Sequence, residues 1–320
     1  MRTITLEEHF ATPDFAGGPG GHLAAAWGQD TLHVLCDLGA GRIAAMDAAG
    51  VDVQVLSLTS PGLEQLSQSE APGWARSIND RVASAIAAHP TRLRGFAALP
   101  TASPEDAAGE LSRAVTELGF LGAMVNGHVG GRYLDDEFFW PILAKAEQLQ
   151  VPIYLHPTMP PQTVIDASYT GNFSAEVGRI LAASAWGWHM ETGNHLLRMV
   201  LAGVFDRFPR LQVMIGHLGE ALPFMLPRIE QVYDSFADTQ LERRITAYFR
   251  ENVHYTIAGF NFVPSFLNLL LQVGADRILF SADYPYTSME DAQHFLRELP
   301  ISESDRHKIA HGNAESLFDI

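Results

Sequence analysis

The chain has 320 residues, 47% of them hydrophobic, a single cysteine and a formal net charge of −16. That is enough apolar material for one large domain, and it excludes an internal disulfide framework and a cysteine-rich zinc site. Only two lysines, Lys145 and Lys308, are present and the arginines are scattered, so there is no basic stripe for phosphates and nucleic acid is not expected as a partner.

In chain order, apolar β-rich runs occupy residues 3–6, 51–58, 93–99, 122–125, 152–155, 211–215, 253–257 and 277–280. Between them, apolar residues at three and four spacing predict helices over 72–89, 104–118, 138–149, 196–205 and 301–318. Eight strands alternating with helices predict a (β/α)₈ TIM barrel, with a doubly wound open sheet as the competitor. The whole chain, 1–320, is read as one domain. Two segments fall outside the repeat. Residues 12–30 carry the Gly-rich stretch Gly17-Gly18-Pro19-Gly20-Gly21, which suits a mobile loop over a site or a disordered surface excursion. Residues 158–194 follow directly after His156 and carry Trp186, Trp188, His189 and Glu191, which places them as a pocket wall. Cys36 ends an apolar stretch and reads as buried packing. No signal-peptide pattern opens the chain and no apolar run reaches the ~18 residues of a membrane span. A soluble cytoplasmic protein without membrane contact is the expectation.

Four of the strands end in metal-ligand residues: Glu7 and His9 on the first, His156 on the fifth, His217 on the sixth and Asp283 on the eighth. Strand ends on one side of a parallel barrel face the active site, and only a closed ring brings these four together. Glu7 and His9 are two apart, so both project to the same side and can hold one cation, whereas Glu8 points the other way and reads as a structural carboxylate paired with an arginine. Glu7, His9, His156 and Asp283 form a mixed nitrogen and oxygen set that suits one divalent ion, zinc or manganese first. His217 is either a fifth, outer ligand or a free acid/base group. Glu220, three residues on, either orients the His217 imidazole or is a helix-start carboxylate meeting the helix dipole.

The chain resembles the metal-dependent decarboxylase branch of the amidohydrolase superfamily, which includes γ-resorcylate, 2,3-dihydroxybenzoate and aminocarboxymuconate semialdehyde decarboxylases. The matching stretches run from end to end: Leu6-Glu7-Glu8-His9-Phe10, Asp47-Ala48-Ala49-Gly50-Val51-Asp52, Asn126-Gly127, Tyr133-Leu134-Asp135-Asp136, Val151-Pro152-Ile153-Tyr154-Leu155-His156-Pro157, Gly203-Val204-Phe205-Asp206, Gly216-His217-Leu218-Gly219-Glu220 and Ser281-Ala282-Asp283-Tyr284-Pro285-Tyr286. The resemblance implies Glu7, His9, His156 and Asp283 as ligands, His217 with Glu220 as a catalytic pair, and Arg228 as the arginine for the substrate carboxylate. It also implies a homodimer or homotetramer, and the apolar segment 260–273 is a candidate subunit contact. The bridging lysine of the binuclear members has no counterpart in Gly122-Ala123-Met124-Val125-Asn126-Gly127, so a single metal ion is expected.

The implied activity is non-oxidative decarboxylation of a small aromatic hydroxy acid. Asp283 is the candidate proton donor to carbon, His217 and Glu220 manage the phenolic or carboxylate proton, and Trp186, Trp188, Phe10, Phe173 and Tyr286 offer a stacking wall. The alternative is a mononuclear hydrolase or hydratase acting on a lactone, amide or unsaturated acid, in which the metal activates water.

Overall fold

A computed structural model describes residues 1–236 and 238–320. Among these residues nine parallel strands occur: β1 Ile4–Phe10, β2 Val53–Leu58, β3 Leu93–Gly95, β4 Ala97–Ala98, β5 Ala123–Asn126, β6 Ile153–His156, β7 Val213–Ile215, β8 Val253–Thr256 and β9 Ile278–Leu279. They pair in the orders β1-β2-β3 and β4-β5-β6-β7-β8-β9. β3 and β4 are two halves of the single predicted run 93–99, parted at Phe96, whose amide still donates to Leu56 O at 2.9 Å. The eight predicted positions are thereby all occupied, in the order of a (β/α)₈ barrel.

The seam between the last position and the first is made by side chain as well as backbone. The His9 amide donates to Tyr284 O at 2.7 Å, and the Glu8 carboxylate accepts the amides of Ala282 (2.9 Å) and Tyr284 (3.3 Å). Glu8 is therefore structural, as expected, but amides are its direct partners. The buried Arg42 stands behind it, donating instead to His9 O at 2.8 Å and to Asp37 O at 2.8 Å.

Side chains alternate across a strand, so the inner core can be followed upward by twos. Ile4, Leu6, Val53, Val55, Met124, Tyr154, Met214 and Leu279 fill the barrel interior, closed at its lower end by Ala314, Leu317, Phe318 and Ile320. Two residues above Tyr154 the same face presents His156. On β1 strict alternation would bring Glu8 inward after Leu6. A register shift between Thr5 and Glu8 inserts one extra residue, which switches the parity, turns Glu7 and His9 inward and sends Glu8 to the seam.

The Gly-rich segment is more ordered than a disordered excursion. It folds as short helices Pro13–Gly17 and Leu23–Trp27, followed by Gln29–Cys36, and is anchored by the fully buried Phe15 and Leu23. The second excursion likewise folds as helices Gln162–Ser168 and Ala175–Ala182, running into Gly187–Leu201. Among the described residues no helix is long and apolar enough to cross a membrane.

Candidate metal centre

Glu7, His9, His156 and Asp283 converge, each offering one ligand atom, with these atoms within 4.8 Å of one another. His9 Nε2 lies 3.2 Å from Asp283 Oδ1, and His156 Nε2 lies 3.3 Å from Glu7 Oε1. Glu7 divides its carboxylate between two tasks. Oε2 accepts from the Tyr154 hydroxyl and from Thr256 Oγ1 at 3.0 Å, while Oε1 is buried without a hydrogen-bond partner, as is His9 Nε2. Buried polar atoms are nearly always paired, and two orphans facing each other's carboxylate and imidazole neighbours are what a site built around a cation presents. The fit to one divalent ion with nitrogen and oxygen ligands is good.

Electrostatics agree with that reading. Burial raises the Glu7 pKa, with His217 and His9 opposing and Asp283 adding to the rise. Burial, reinforced by His9 and His217, holds His156 well below the ordinary histidine range, so it stays neutral with a lone pair for a metal. Close packing also protects the ligands' positions: a Cβ at Gly216 would come within 2.6 Å of Glu7 Oε2.

His217 belongs to a second group with Glu220 and His189. Its Nδ1 is 2.7 Å from Glu220 Oε1, and its Nε2 stands off at 3.9 Å from Glu7 Oε1 and 4.0 Å from Asp283 Oδ2. The residues from His217 to Ala221 all have positive φ, at 53°, 57°, 92°, 54° and 61°. This is a left-handed turn, costly for non-glycine residues, and it excludes Glu220 from a right-handed helix start. It places His217 and Glu220 three apart and face to face. Burial alone would depress His217, but Glu220, Glu7 and Asp283 outweigh it and push its pKa up to about 10. Burial would raise Glu220, yet His217 and His189 hold it below the usual carboxylate value.

A cavity of about 220 Å³ opens above the cluster, and His156, His217, Asp283, Trp188 and Tyr286 all reach it. Of the five expected wall aromatics, only Trp188 and Tyr286 line it. Phe10 is spent in the core, 1% exposed, and Phe173 and Trp186 face outward, 43% and 52% exposed. Trp27, Phe260 and His189 take their places. Trp27 stands 4.7 Å from Tyr286, ring to ring, at the end of a short helix in a segment whose composition signalled only a loop. Arg228 is the one expected site residue that is not brought in: it is exposed on the helix Leu222–Phe236, bonded to Gln231 Oε1 at 3.3 Å, and is not among the cavity's lining residues.

Comparison with known proteins agrees with this arrangement. An amidohydrolase family profile matches residues 21–320. A γ-resorcylate decarboxylase of Polaromonas sp. is 38% identical, over 99% of this chain and 98% of that protein. A crystal structure of 2,6-dihydroxybenzoate decarboxylase complexed with 2,6-dihydroxybenzoate superposes with a TM-score of 0.91 at 35% identity, covering 100% of both chains. The dihydroxybenzoic acid decarboxylase of Polaromonas sp. JS666, with bound manganese and the inhibitor 2-nitroresorcinol, gives a TM-score of 0.90 at 36% identity over 99% of this chain and 97% of that one. A parallel barrel carrying Glu7, His9, His156 and Asp283 at one mouth, with relatives of this similarity along its whole length, is a member of the amidohydrolase family, in its metal-dependent decarboxylase branch.

Proposed function

We propose that the chain is a metal-dependent decarboxylase that removes carbon dioxide, without oxidation, from a small aromatic hydroxy acid of the dihydroxybenzoate kind. The observation that carries this reading is the position of Asp283, which closes the ligand cluster while facing a cavity walled by Trp27, Trp188, Phe260 and Tyr286. One divalent ion, held by Glu7, His9, His156 and Asp283, would supply Lewis-acid stabilisation of phenolate and carboxylate oxygens; manganese is the ion in the Polaromonas structure, and the donor set accepts manganese or zinc.

The chain's own residues do the rest. The flat aromatic walls align a single ring edge-on to the cluster. Asp283, in its protonated form, gives its proton to the carboxyl-bearing ring carbon. The bond from that carbon to the carboxyl carbon then breaks, its electron pair returns to the ring, and carbon dioxide leaves. His217, held by Glu220, carries the phenolic proton at Nε2. Arg228 takes no part in this reading within one chain. The four aromatic walls, Trp27, Trp188, Phe260 and Tyr286, suit a flat ring. The chain works as one domain, 1–320, in the cytoplasm.

We further place the chain in a homo-oligomer. Leu271 (83% exposed) and Phe262 (57%) on and beside the helix Val263–Val273, with Phe224 (75%) on the neighbouring helix Leu222–Phe236, leave large apolar side chains uncovered.

The test of the activity is incubation of the metal-loaded protein with a panel of ortho-hydroxybenzoates while carbon dioxide is measured. Release that a chelator abolishes supports the reading. One bound metal with no release from any acid would move the assignment to a hydrolase or hydratase.

A further inference from the structure

Glu220 is bound from both sides. Its Oε1 is 2.7 Å from His217 Nδ1 and its Oε2 is 2.6 Å from His189 Nδ1, with no part of the carboxylate side chain exposed. His189 comes from a different element, the helix Gly187–Leu201, and reaches the turn because that helix approaches it closely. Gly193, one helical turn beyond His189 and on the same face, lies where a Cβ would come within 2.8 Å of Glu220 O. The far nitrogen of His189 has two alternative partners: unprotonated, it accepts from the indole N–H of Trp188 at 3.1 Å, and protonated, it donates to the carbonyl oxygen of Ser184 at 2.9 Å. Phe260 packs edgewise on both imidazoles, with ring centroids 5.1 Å from His189 and 5.2 Å from His217.

We propose that His189 is a positioning residue that holds Glu220 in the one orientation able to keep His217 Nδ1 bonded, so that His217 Nε2 stays aimed at the ligand cluster. A buried carboxylate tied at a single oxygen can rotate or take up a proton, and either event frees the His217 ring. Tied at both oxygens it can do neither, because leaving one oxygen unpaired in a buried site is costly. His189 also lines the cavity, so its replacement removes wall as well; the positioning role, which acts through Glu220, is read in kcat. This inference rests on the decarboxylase reading only for the choice of assay.

The experiment compares the full-length protein with H189A, H189Q, E220Q and the double variant H189A/E220Q. Metal-loaded H189A should keep one metal ion per chain and lose about 10- to 100-fold in kcat, the range for groups that orient others in a metal site, beyond any rise in KM from the lost wall. H189Q, whose amide can still donate to Oε2, should recover most of that loss. The double variant should be no slower than E220Q alone, because both changes break the same chain of bonds. Independently of turnover, proton NMR of the metal-free protein should show two far-downfield imidazole N–H signals; H189A should lose one and shift the other, and H189Q should lose the first and keep the His217 signal in place. An unmoved His217 signal in H189A, an unchanged kcat in H189A, or penalties that multiply in the double variant would each overturn the proposal. Where H189A does not fold, H189N, whose shorter amide falls short of Oε2, takes its place. A wild-type protein that decarboxylates nothing yet shows the paired signals removes the activity reading and leaves the positioning role standing.

Discussion

His9 Nε2 and Asp283 Oδ1 face each other at 3.2 Å, although 274 positions separate them in the chain, and the nitrogen carries no hydrogen bond. The seam that joins the first and last barrel positions puts them there: the His9 amide is bonded to Tyr284 O at 2.7 Å, next door to Asp283. Asp283 itself is held at φ 66°, a left-handed conformation that turns its carboxylate over the cluster and into the cavity. Replacing Asp283 with Asn keeps size and one ligand oxygen and removes the transferable proton. D283N should fold normally by circular dichroism and lose at least 10²- to 10⁴-fold in kcat, the usual range for a general acid. Substantial remaining turnover would take Asp283 out of the mechanism.

His156 and His217 sit close in space, with ring centroids 6.3 Å apart, yet belong to different groups. His156 is one of the four converging ligands, whereas His217 is committed through Nδ1 to Glu220. H156N should therefore lose bound metal, read by elemental analysis after gel filtration. H217N should retain one ion per chain and still lose most of its turnover. Metal loss in H217N would make His217 a fifth ligand.

Much of this was legible in the sequence because strand ends are marked by a change of character: apolar runs stop at His156 and just before Asp283, and barrel topology brings such ends together. The parity of β1 was harder. Glu7 and His9 share a face under simple alternation, but so do Leu6 and Glu8, and only the bulge explains how Leu6 and Glu7 both point inward. His189 is legible in the sequence only as part of a pocket wall, because its bond to Glu220 depends on the docking of a helix that Gly193 lets come close to the turn. Trp27 was hidden for a related reason: the surrounding glycines advertise a loop, and the buried Phe15 and Leu23 that fix it are ordinary hydrophobics until packing is known. Arg228 rests on the family resemblance alone, and in a single chain it stands on an exposed helix face outside the cavity.

Among the described residues none that lines the cavity is Lys or Arg. A substrate carboxylate beyond the one at the cluster would be buried without a cation, which is costly. Benzoates with a second carboxylate across the ring should thus have kcat/KM at least about 100-fold below that of a monocarboxylate, roughly the 2–3 kcal/mol of one unpaired buried polar group. Equal rates for both acids would show that a cation reaches the cavity. W27A should raise KM for the preferred acid with a smaller change in kcat, since Trp27 contributes wall and not chemistry.

Leu271 and Phe224 project from two helices into solvent at 83% and 75% exposure. In a homo-oligomer these side chains would be buried at the contact. L271D and F224D should lower the mass measured by sedimentation velocity to that of a single chain of 35.0 kDa, with the far-ultraviolet spectrum unchanged. A wild type that already sediments as one chain removes the oligomer.

His195 predicts the response to acid. Its Nε2 accepts the Leu134 amide at 2.7 Å and the ring is buried, with Nδ1 unpartnered, so a proton added at Nε2 breaks a buried hydrogen bond. Burial, with smaller contributions from Arg198 and His128, brings its pKa down to about 3. Below the ordinary histidine value of ~6.5 the unfolded chain takes up a proton that the folded chain refuses, so stability present at neutral pH is lost as pH falls toward the folded value. Each pH unit in that window costs about 1.4 kcal/mol, or roughly 2 kcal/mol between pH 6.5 and pH 5. H195Q removes this ionisation while keeping an oxygen for the Leu134 amide. Urea unfolding at pH 7.5 and pH 5 should show the wild type losing roughly 2 kcal/mol more than H195Q over that interval, all other titrations being common to both proteins. Parallel losses would mean that the loop at Leu134 opens and lets His195 take up its proton without unfolding the barrel.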